Sequence, residues 1–433
     1  MRIFFLHPTF SDENFYFNVA KNFLNGKTIY KEIFLAHPPF QIYTLSFLFL
    51  IFGSSLQVAK ILPLLTSSIS TFLIFLICKK LYNEKVAFLS SLLFLFSPPF
   101  LSFSLIEQGF FPTLMFILLS FYFLLKEKTT LASISFTIAT FFRFHTVFYI
   151  LFFIFFLYYF KRNEMKKFVF LTIALVSVTF ILFLSIYGNN FFKDTILYHI
   201  NTKILLFSFR KIFTLQYWSM NFFFMSLAII SLVTAIEKKQ KMLFFFSVMP
   251  ILIDFIILLL FQPVFYHYFL LSLPFYVIAI SSTFFSIDDK VIKGFILMIF
   301  LLSIYSNFKT IDFYLNPINT AHMYEIRSFI ESNINENETI FGEPSITNFI
   351  SFSSDIRITA DYLDSFLPRI IFDGKENLIT MLENNRPKFF IDIKVDSTYY
   401  YASEAQINDF IQRNYRSIKN VTGTPSYLIY MLK

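Results

Sequence analysis

The chain has a single cysteine, Cys78, in 433 residues. One thiol makes no intrachain disulfide and cannot build a thiolate metal cluster. Charge is scarce too: 15% of residues are charged, against 56% apolar. A soluble domain of this length has no interior large enough to hide that much apolar side chain. Glycine is rare (8) and phenylalanine abundant (68). With Ile, Asn and Lys also high, that bias reads as genome composition and supports no functional conclusion. No internal repeat and no low-complexity linker is visible. The apolar run at 1–6 is too short for a cleavable signal peptide.

What is present is a series of apolar runs of about 16–22 residues. That length crosses a hydrocarbon core of about 30 Å at about 1.5 Å per residue. Lipid leaves the backbone to satisfy its own polar groups, so these runs are helices. Spans are expected near 56–78, 86–103, 109–125, 129–143, 145–160, 166–187, 217–236, 242–262, 264–285 and 291–306. The fold class is therefore a polytopic α-helical membrane protein of about ten spans.

The net charge of +8 is topological rather than a sign of nucleic acid. Lys79-Lys80, Lys126 with Lys128, Lys161-Arg162 with Lys166-Lys167, Lys238-Lys239 with Lys241, and Lys290 with Lys293 fall in every second turn. The turns near Glu107, Arg143 and Gln262 hold almost no lysine. By the positive-inside rule the basic turns are cytoplasmic. Residues 1–55, Glu107, Arg143, His145, the basic loop 188–216 and the tail 307–433 are then extracytoplasmic. The apolar stretch 40–52 reaches only about 20 Å as a helix and is expected to lie in the outer interface. In the tail, helices are expected at 321–334 and 403–414, and strands at 338–341, 388–394 and 427–432. The tail reads as a small α/β domain, the middle 56–306 as the bundle, and 1–55 as an outer loop.

Chemistry concentrates at outer ends. Ser11 is placed to cap a helix that Gly26 ends, with Asp12 and Glu13 in its first turn. The helix dipole favours charged carboxylates there, which suits a general base, although acidic first turns are also ordinary helix starts. Tyr16, Ala20 and Phe23 repeat on one face, expected to lie against the membrane surface. Ala36-His37-Pro38-Pro39-Phe40 follows, and the two prolines stiffen the entry to the interfacial helix. Asp254 lies inside a span, where a charge is expensive and frequently functional. Asn337-Glu338-Thr339 and Asn420-Val421-Thr422 fit the glycosylation acceptor pattern, which an Asn-rich chain also produces by chance.

The Asp12-Glu13 pair, Tyr16, Ala20, Gly26, Tyr30 and the His37-Pro38-Pro39 stretch together resemble the first outer loop of the GT-C membrane glycosyltransferases. The nearest branch is that of protein O-mannosyltransferases and lipid A aminoarabinose transferases. Ser97-Pro98-Pro99 before Glu107, Phe142-Arg143-Phe144-His145, and Tyr266-His267-Tyr268 continue the likeness, and the tail resembles the family's outer C-terminal domain. In the family a complete span precedes the Asp-Glu loop, whereas residues 1–9 stand there in this sequence. Glu107 replaces the more usual Asp, and Lys60 stands where many relatives have Arg.

The resemblance implies inverting sugar transfer from a polyprenyl-phosphate donor to a hydroxyl of a protein, lipid or glycan, at the non-cytoplasmic face and without a metal. It makes Asp12 the base, with Glu13 and Glu107 as further catalytic acids. His37, Arg143, His145 and His267 would bind the donor phosphate, and Tyr16, Tyr30 and Tyr268 would position substrate. Two other classes compete: a transporter or lipid flippase, and a non-catalytic scaffold presenting the tail. A flippase calls for charges near the midplane and inverted repeats, and only Asp254 is deep.

Overall fold

The protein is described here by a computed structural model covering residues 8–9, 11–204, 215–260, 266–316, 320–395, 398–401, 404–423 and 425–433. The N-terminal segment forms α1 (Glu13–Leu24) and α2 (Phe40–Phe52). The bundle follows as α3 (Leu56–Leu81), α4 (Glu84–Leu95), α5 (Pro98–Phe103), α6 (Phe110–Leu125), α7 (Thr129–Phe142), α8 (Tyr149–Phe160) and α9 (Arg162–Tyr187). After the short α10 (Asn189–Phe192) come α11 (Leu215–Glu237), α12 (Lys241–Leu260), α13 (Leu273–Ser286) and α14 (Lys290–Ser306).

Helix occupies all ten places where a span is expected. Three of the described helices are long and apolar enough to cross a membrane by themselves: α3, α9 and α12. The most apolar window of α9 is 11% buried within the protein. Phe170, Ile173, Val178 and Ile181 point outward from it, which is stable against lipid and not against water.

Several shorter segments are interrupted for local reasons. The expected span 86–103 breaks at Ser97, whose hydroxyl accepts the Phe100 N–H while Pro98 and Pro99 restart the chain as α5. Proline has no N–H to lose at a first turn, so the break there is inexpensive. The segment near 264–285 is a 3₁₀ turn at Tyr266–Leu271 followed by α13, which opens on Leu273-Pro274. A 3₁₀ turn at Phe144–Phe148 likewise precedes α8. These irregular pieces lie at the end of the bundle that carries Glu107 and Arg143. At the opposite end the basic turns meet: Lys161 pairs with Glu127, and the Lys238 ammonium donates to the Ser286 carbonyl.

The tail begins with α15 (Phe308–Leu315) and α16 (Ala321–Glu331), then β1 (Ile340–Gly342), α17 (Pro344–Ser354), α18 (Leu367–Asp373), α19 (Lys375–Asn385), β2 (Phe389–Val395), β3 (Thr398–Tyr399), α20 (Ala405–Asn414), β4 (Tyr415–Val421) and β5 (Ser426–Leu432). The sheet order is β1-β2-β5-β4, with β3 on β2; β1 and β2 run parallel and the other pairs antiparallel. Alternate residues face opposite layers. Phe389, Ile391 and Ile393 pack with α16 and α17, while Phe390 packs with α19 and α20. At Gly342 (φ +144°) a Cβ would sit 2.0 Å from the Ile391 carbonyl, so the β1–β2 approach demands glycine.

The N-terminal segment and the tail share one core. Phe17, Val19 and Ala20 of α1 are buried with Ile346, Phe349 and Ile350 of α17. Asn14 donates to the Ser345 carbonyl, Asn18 to Asn348, Lys21 to the Phe352 carbonyl, and Lys27 pairs with Asp361. The α1 face expected to meet the membrane surface therefore meets protein. The expected interfacial helix α2 buries Ile42, Leu45 and Phe49 and exposes Phe47, Leu50, Ile51 and Phe52. The basic loop is helical over 189–204, as α10 and two wide helical turns at Lys193–Leu197 and Ile200–Ile204. Arg210 and Lys211 lie outside the described residues.

Candidate active site

Asp12 and Glu13 are adjacent in sequence and opposite in environment. Asp12, not Ser11, is the N-cap residue of α1, and it is half-buried at the wall of a cleft. The Ser11 hydroxyl shares a hydrogen bond with the Thr9 hydroxyl at 2.7 Å and accepts the Glu13 N–H of the first turn at 3.4 Å. One residue on, about 100° around the helix, Glu13 is fully buried. Its carboxylate accepts from Lys60 Nζ at 2.6 and 2.7 Å, from the Thr9 hydroxyl at 2.6 Å, and from the Glu107 N–H at 3.1 Å. Glu13 thus pins the N-terminal segment to α3 and to the turn before α6. It does not line the cleft where the sequence reading put a catalytic acid. Lys60 is the partner that reading missed. A lysine in an apolar span calls for an acid, and that was the available signal.

Glu107 sits in the turn between α5 and α6, outside the spanning segments and without solvent exposure. Its Oε1 accepts from Gln41 Nε2 at 3.1 Å and from the Gly109 N–H at 2.9 Å, while Oε2 has no hydrogen-bond partner. Gly109 adopts φ +75°, and a Cβ there would come within 2.9 Å of Gln41 Oε1 and 3.0 Å of Arg143 Nε. Glycine alone lets these three groups converge. Burial, reinforced by the nearby Glu13, outweighs Arg143 and the two donors and pushes the Glu107 carboxyl up to about 8. A raised acid keeps its proton in the native state after the unfolded chain has released it. That contribution to stability is complete below about pH 4.5 and is lost as pH rises through 8. Thermal unfolding in detergent should therefore show a decline in stability between those pH values that Glu107→Gln flattens. An equal slope in the variant would contradict the assignment.

Arg143, at the end of α7, is 1% exposed. Its Nε donates to the Gln108 carbonyl at 2.7 Å and its Nη2 to Gln41 Oε1 at 3.0 Å, while Nη1 has no hydrogen-bond partner. The guanidinium lies over the rings of Tyr16 and Phe110. It borders a cavity of about 30 Å³ together with Asp12, Tyr16, His37, His145, His267 and Tyr268. The structure thereby gathers seven of the ten residues singled out from the sequence. The His145 and Tyr268 rings pack at a tilt with centroids 4.5 Å apart, and His267 packs on Phe110 at 4.6 Å. Burial pushes the Tyr16 phenol up, so it remains a neutral hydroxyl. Tyr30 lies elsewhere: it is buried against Tyr187 and Phe191, and its hydroxyl donates to the His37 carbonyl at 2.7 Å. It braces His37 from behind.

A second cavity of about 230 Å³ shares Asp12, Tyr16 and His37 and opens toward the tail. Its far wall is Tyr198, Thr202, Asp364, Phe366 and Pro368. Sequence reasoning missed these five, which lie in short helical turns and loop segments without a sustained periodic pattern. The wall is fixed by Arg369, whose guanidinium stacks 3.5 Å over the Phe34 ring and pairs with Asp373. Asp254 lines neither cavity. Its carboxylate accepts from the Ser272 and Tyr276 hydroxyls at 2.5 and 2.8 Å, a satisfied core network.

Comparison with known proteins is consistent with this architecture. Residues 36–187 match the family pattern described as dolichyl-phosphate-mannose-protein mannosyltransferase. No curated protein matches by sequence. Among solved structures, ArnT from Cupriavidus metallidurans bound to undecaprenyl phosphate is similar with a TM-score of 0.63 and 9% identity, over 98% of this chain and 94% of that one. The same enzyme in its apo state gives 0.62 and 10%, with the same coverage. The apo oligosaccharyltransferase of Archaeoglobus fulgidus gives 0.56 and 12%, over 88% of this chain; the match spans 65% of that longer protein. The expectation drawn from the Asp-Glu and His-Pro-Pro stretches is thus met: residues 36–187 carry the mannosyltransferase family pattern, and the chain as a whole has the fold of the GT-C membrane glycosyltransferases.

Proposed function

We propose that the protein is a glycosyltransferase that takes a sugar from a polyprenyl-phosphate donor and places it on a hydroxyl, at the non-cytoplasmic face of the membrane. The observation that carries this reading is the joining of two cavities at Asp12. One side offers Arg143 Nη1 and three imidazoles, suited to an anionic phosphate; the other is an open cleft against the tail. The acceptor hydroxyl gives its proton to Asp12 and attacks the anomeric carbon. The bond from that carbon to the phosphate oxygen breaks on the opposite face, and polyprenyl phosphate leaves, so configuration inverts. Charge grows on the leaving phosphate, and the fixed Arg143 guanidinium with the imidazole donors there stabilises the transition state more than the ground state. Glu107 and Gln41 hold Arg143 in place through their shared hydrogen bonds. Tyr16 and Tyr268 shape the cavity wall between donor and acceptor.

The ligands of the similar structures fit this reading: ArnT has been solved with undecaprenyl phosphate and the archaeal enzyme with a tethered acceptor peptide. The segregation of basic turns to the opposite end of the bundle supports the sidedness. The satisfied network around Asp254 speaks against the flippase alternative. The test follows release of free polyprenyl phosphate from a labelled lipid-linked sugar by the protein in membranes. Release is expected, and Arg143→Gln should lower it about a hundredfold with unchanged membrane insertion. Movement of intact donor between leaflets, without release, would favour the flippase instead.

A further inference from the structure

At the end of the bundle remote from Asp12, an apolar groove of about 580 Å³ runs between α8, α11 and α12. We infer that this groove is a binding site for an anionic glycerophospholipid, with one acyl chain along α12 and its phosphate at Lys239 and Lys241.

The groove has direction. Lys241, Phe244, Phe245, Val248, Met249 and Leu252 line it at helical spacing along α12. From Lys241 to Leu252 the helix rises about 16 Å. That is half of a hydrocarbon core of about 30 Å, the depth of one leaflet. Phe155 and Tyr159 of α8 and Ile236 of α11 form the facing wall and are exposed. All polar character is at one end, where Lys239, Gln240 and Lys241 make the turn between α11 and α12. Lys239 adopts φ +53° there.

The charge at that end is uncommitted. Among the described residues, Lys239 and Lys241 make no ion pair, whereas the neighbouring Lys238 is engaged by the Ser286 carbonyl. Glu237 is the acid closest in sequence, and no ion pair ties it to either lysine. Two ammonium groups at the mouth of an apolar slot one leaflet deep match a phosphate above an acyl chain. Each lysine near the surface adds attraction for anionic lipid over zwitterionic lipid. Interfacial packing alone explains the slot but not the choice of headgroup, and the headgroup is where the test bears.

The test uses the full-length protein reconstituted in phosphatidylcholine vesicles, with chain-spin-labelled phosphatidylglycerol or phosphatidylcholine added. Electron paramagnetic resonance reads the motionally restricted fraction. Phosphatidylglycerol is expected to associate at least threefold more strongly than phosphatidylcholine. The double variant Lys239→Ala/Lys241→Ala should abolish the preference, and Val248→Trp should lower the restricted fraction by filling the slot. The control Lys79→Ala/Lys80→Ala, at the same end of the bundle but outside the groove, should keep the preference. Equal association of the two lipids with the wild type overturns the site, and so does an equal loss in the control, which would mean diffuse surface charge.

Discussion

Asp12→Asn is expected to lower release of polyprenyl phosphate by about 10²–10⁴-fold, the usual contribution of a positioned general base. Fold and insertion should be unaffected, because Asp12 caps α1 through its backbone and makes no side-chain cap bond. Asparagine preserves size and hydrogen bonding and removes only the ability to accept a proton. The comparison with Glu13→Gln separates the two acids. Glu13 is fully buried under three kinds of donor, so its loss should lower stability and activity together. Asp12→Asn should move activity alone. Unchanged turnover in Asp12→Asn would remove the proposed base and the mechanism with it.

The largest loss of stability is expected from Lys60→Met. The Lys60–Glu13 pair is closed from solvent, with side chains 1% and 0% exposed and an N–O distance of 2.6 Å. Removing the lysine leaves a buried carboxylate held only by the Thr9 hydroxyl and the backbone N–H groups of Thr9 and Glu107. Breaking one half of a buried pair costs about 3–5 kcal/mol, because the remaining charge stays desolvated. The double change Glu13→Gln/Lys60→Met removes both charges and should be markedly milder than Lys60→Met alone. Thermal unfolding in detergent reads this directly. Equal losses in the single and double variants would show that the two groups are not coupled. Lys60→Arg tests the same contact from the other side: it keeps the charge, and a near-native unfolding temperature is expected.

Much of this protein was legible from its sequence. Ten helical segments stand where apolar runs of span length occur, because in lipid an apolar run has no structural option other than helix. In the tail, β2 and β5 were visible since β2 is buried on both faces, β5 buries Tyr427, Ile429 and Tyr430, and both are rich in Phe, Ile and Tyr. The edge strand β4 was not. Its residues Tyr415 to Val421 are buried at the two ends and mostly exposed between them, so no alternation marks it. The interruption of a span at Ser97 is likewise written in two prolines, yet an apolar count through 86–103 passes over it.

The candidate site shows where reading along the chain ends. Residue type and position along the chain pointed to Asp12 and His37, and the likeness to the glycosyltransferase family added Arg143, His145 and His267. The same reading could not separate Asp12 from Glu13. Both suit a first turn, and one step around the helix decides which meets the cleft and which meets Lys60. It also could not supply the far wall at Asp364 and Phe366, more than 350 positions from Asp12 and in segments without periodicity. The sequence by itself determined the solvent, the helices and the end of the bundle where chemistry collects, since these follow from local hydrophobicity and length. Only the tertiary structure decided which acid faces the cavity and what closes it, because side-chain direction is set by contacts between segments far apart in the chain.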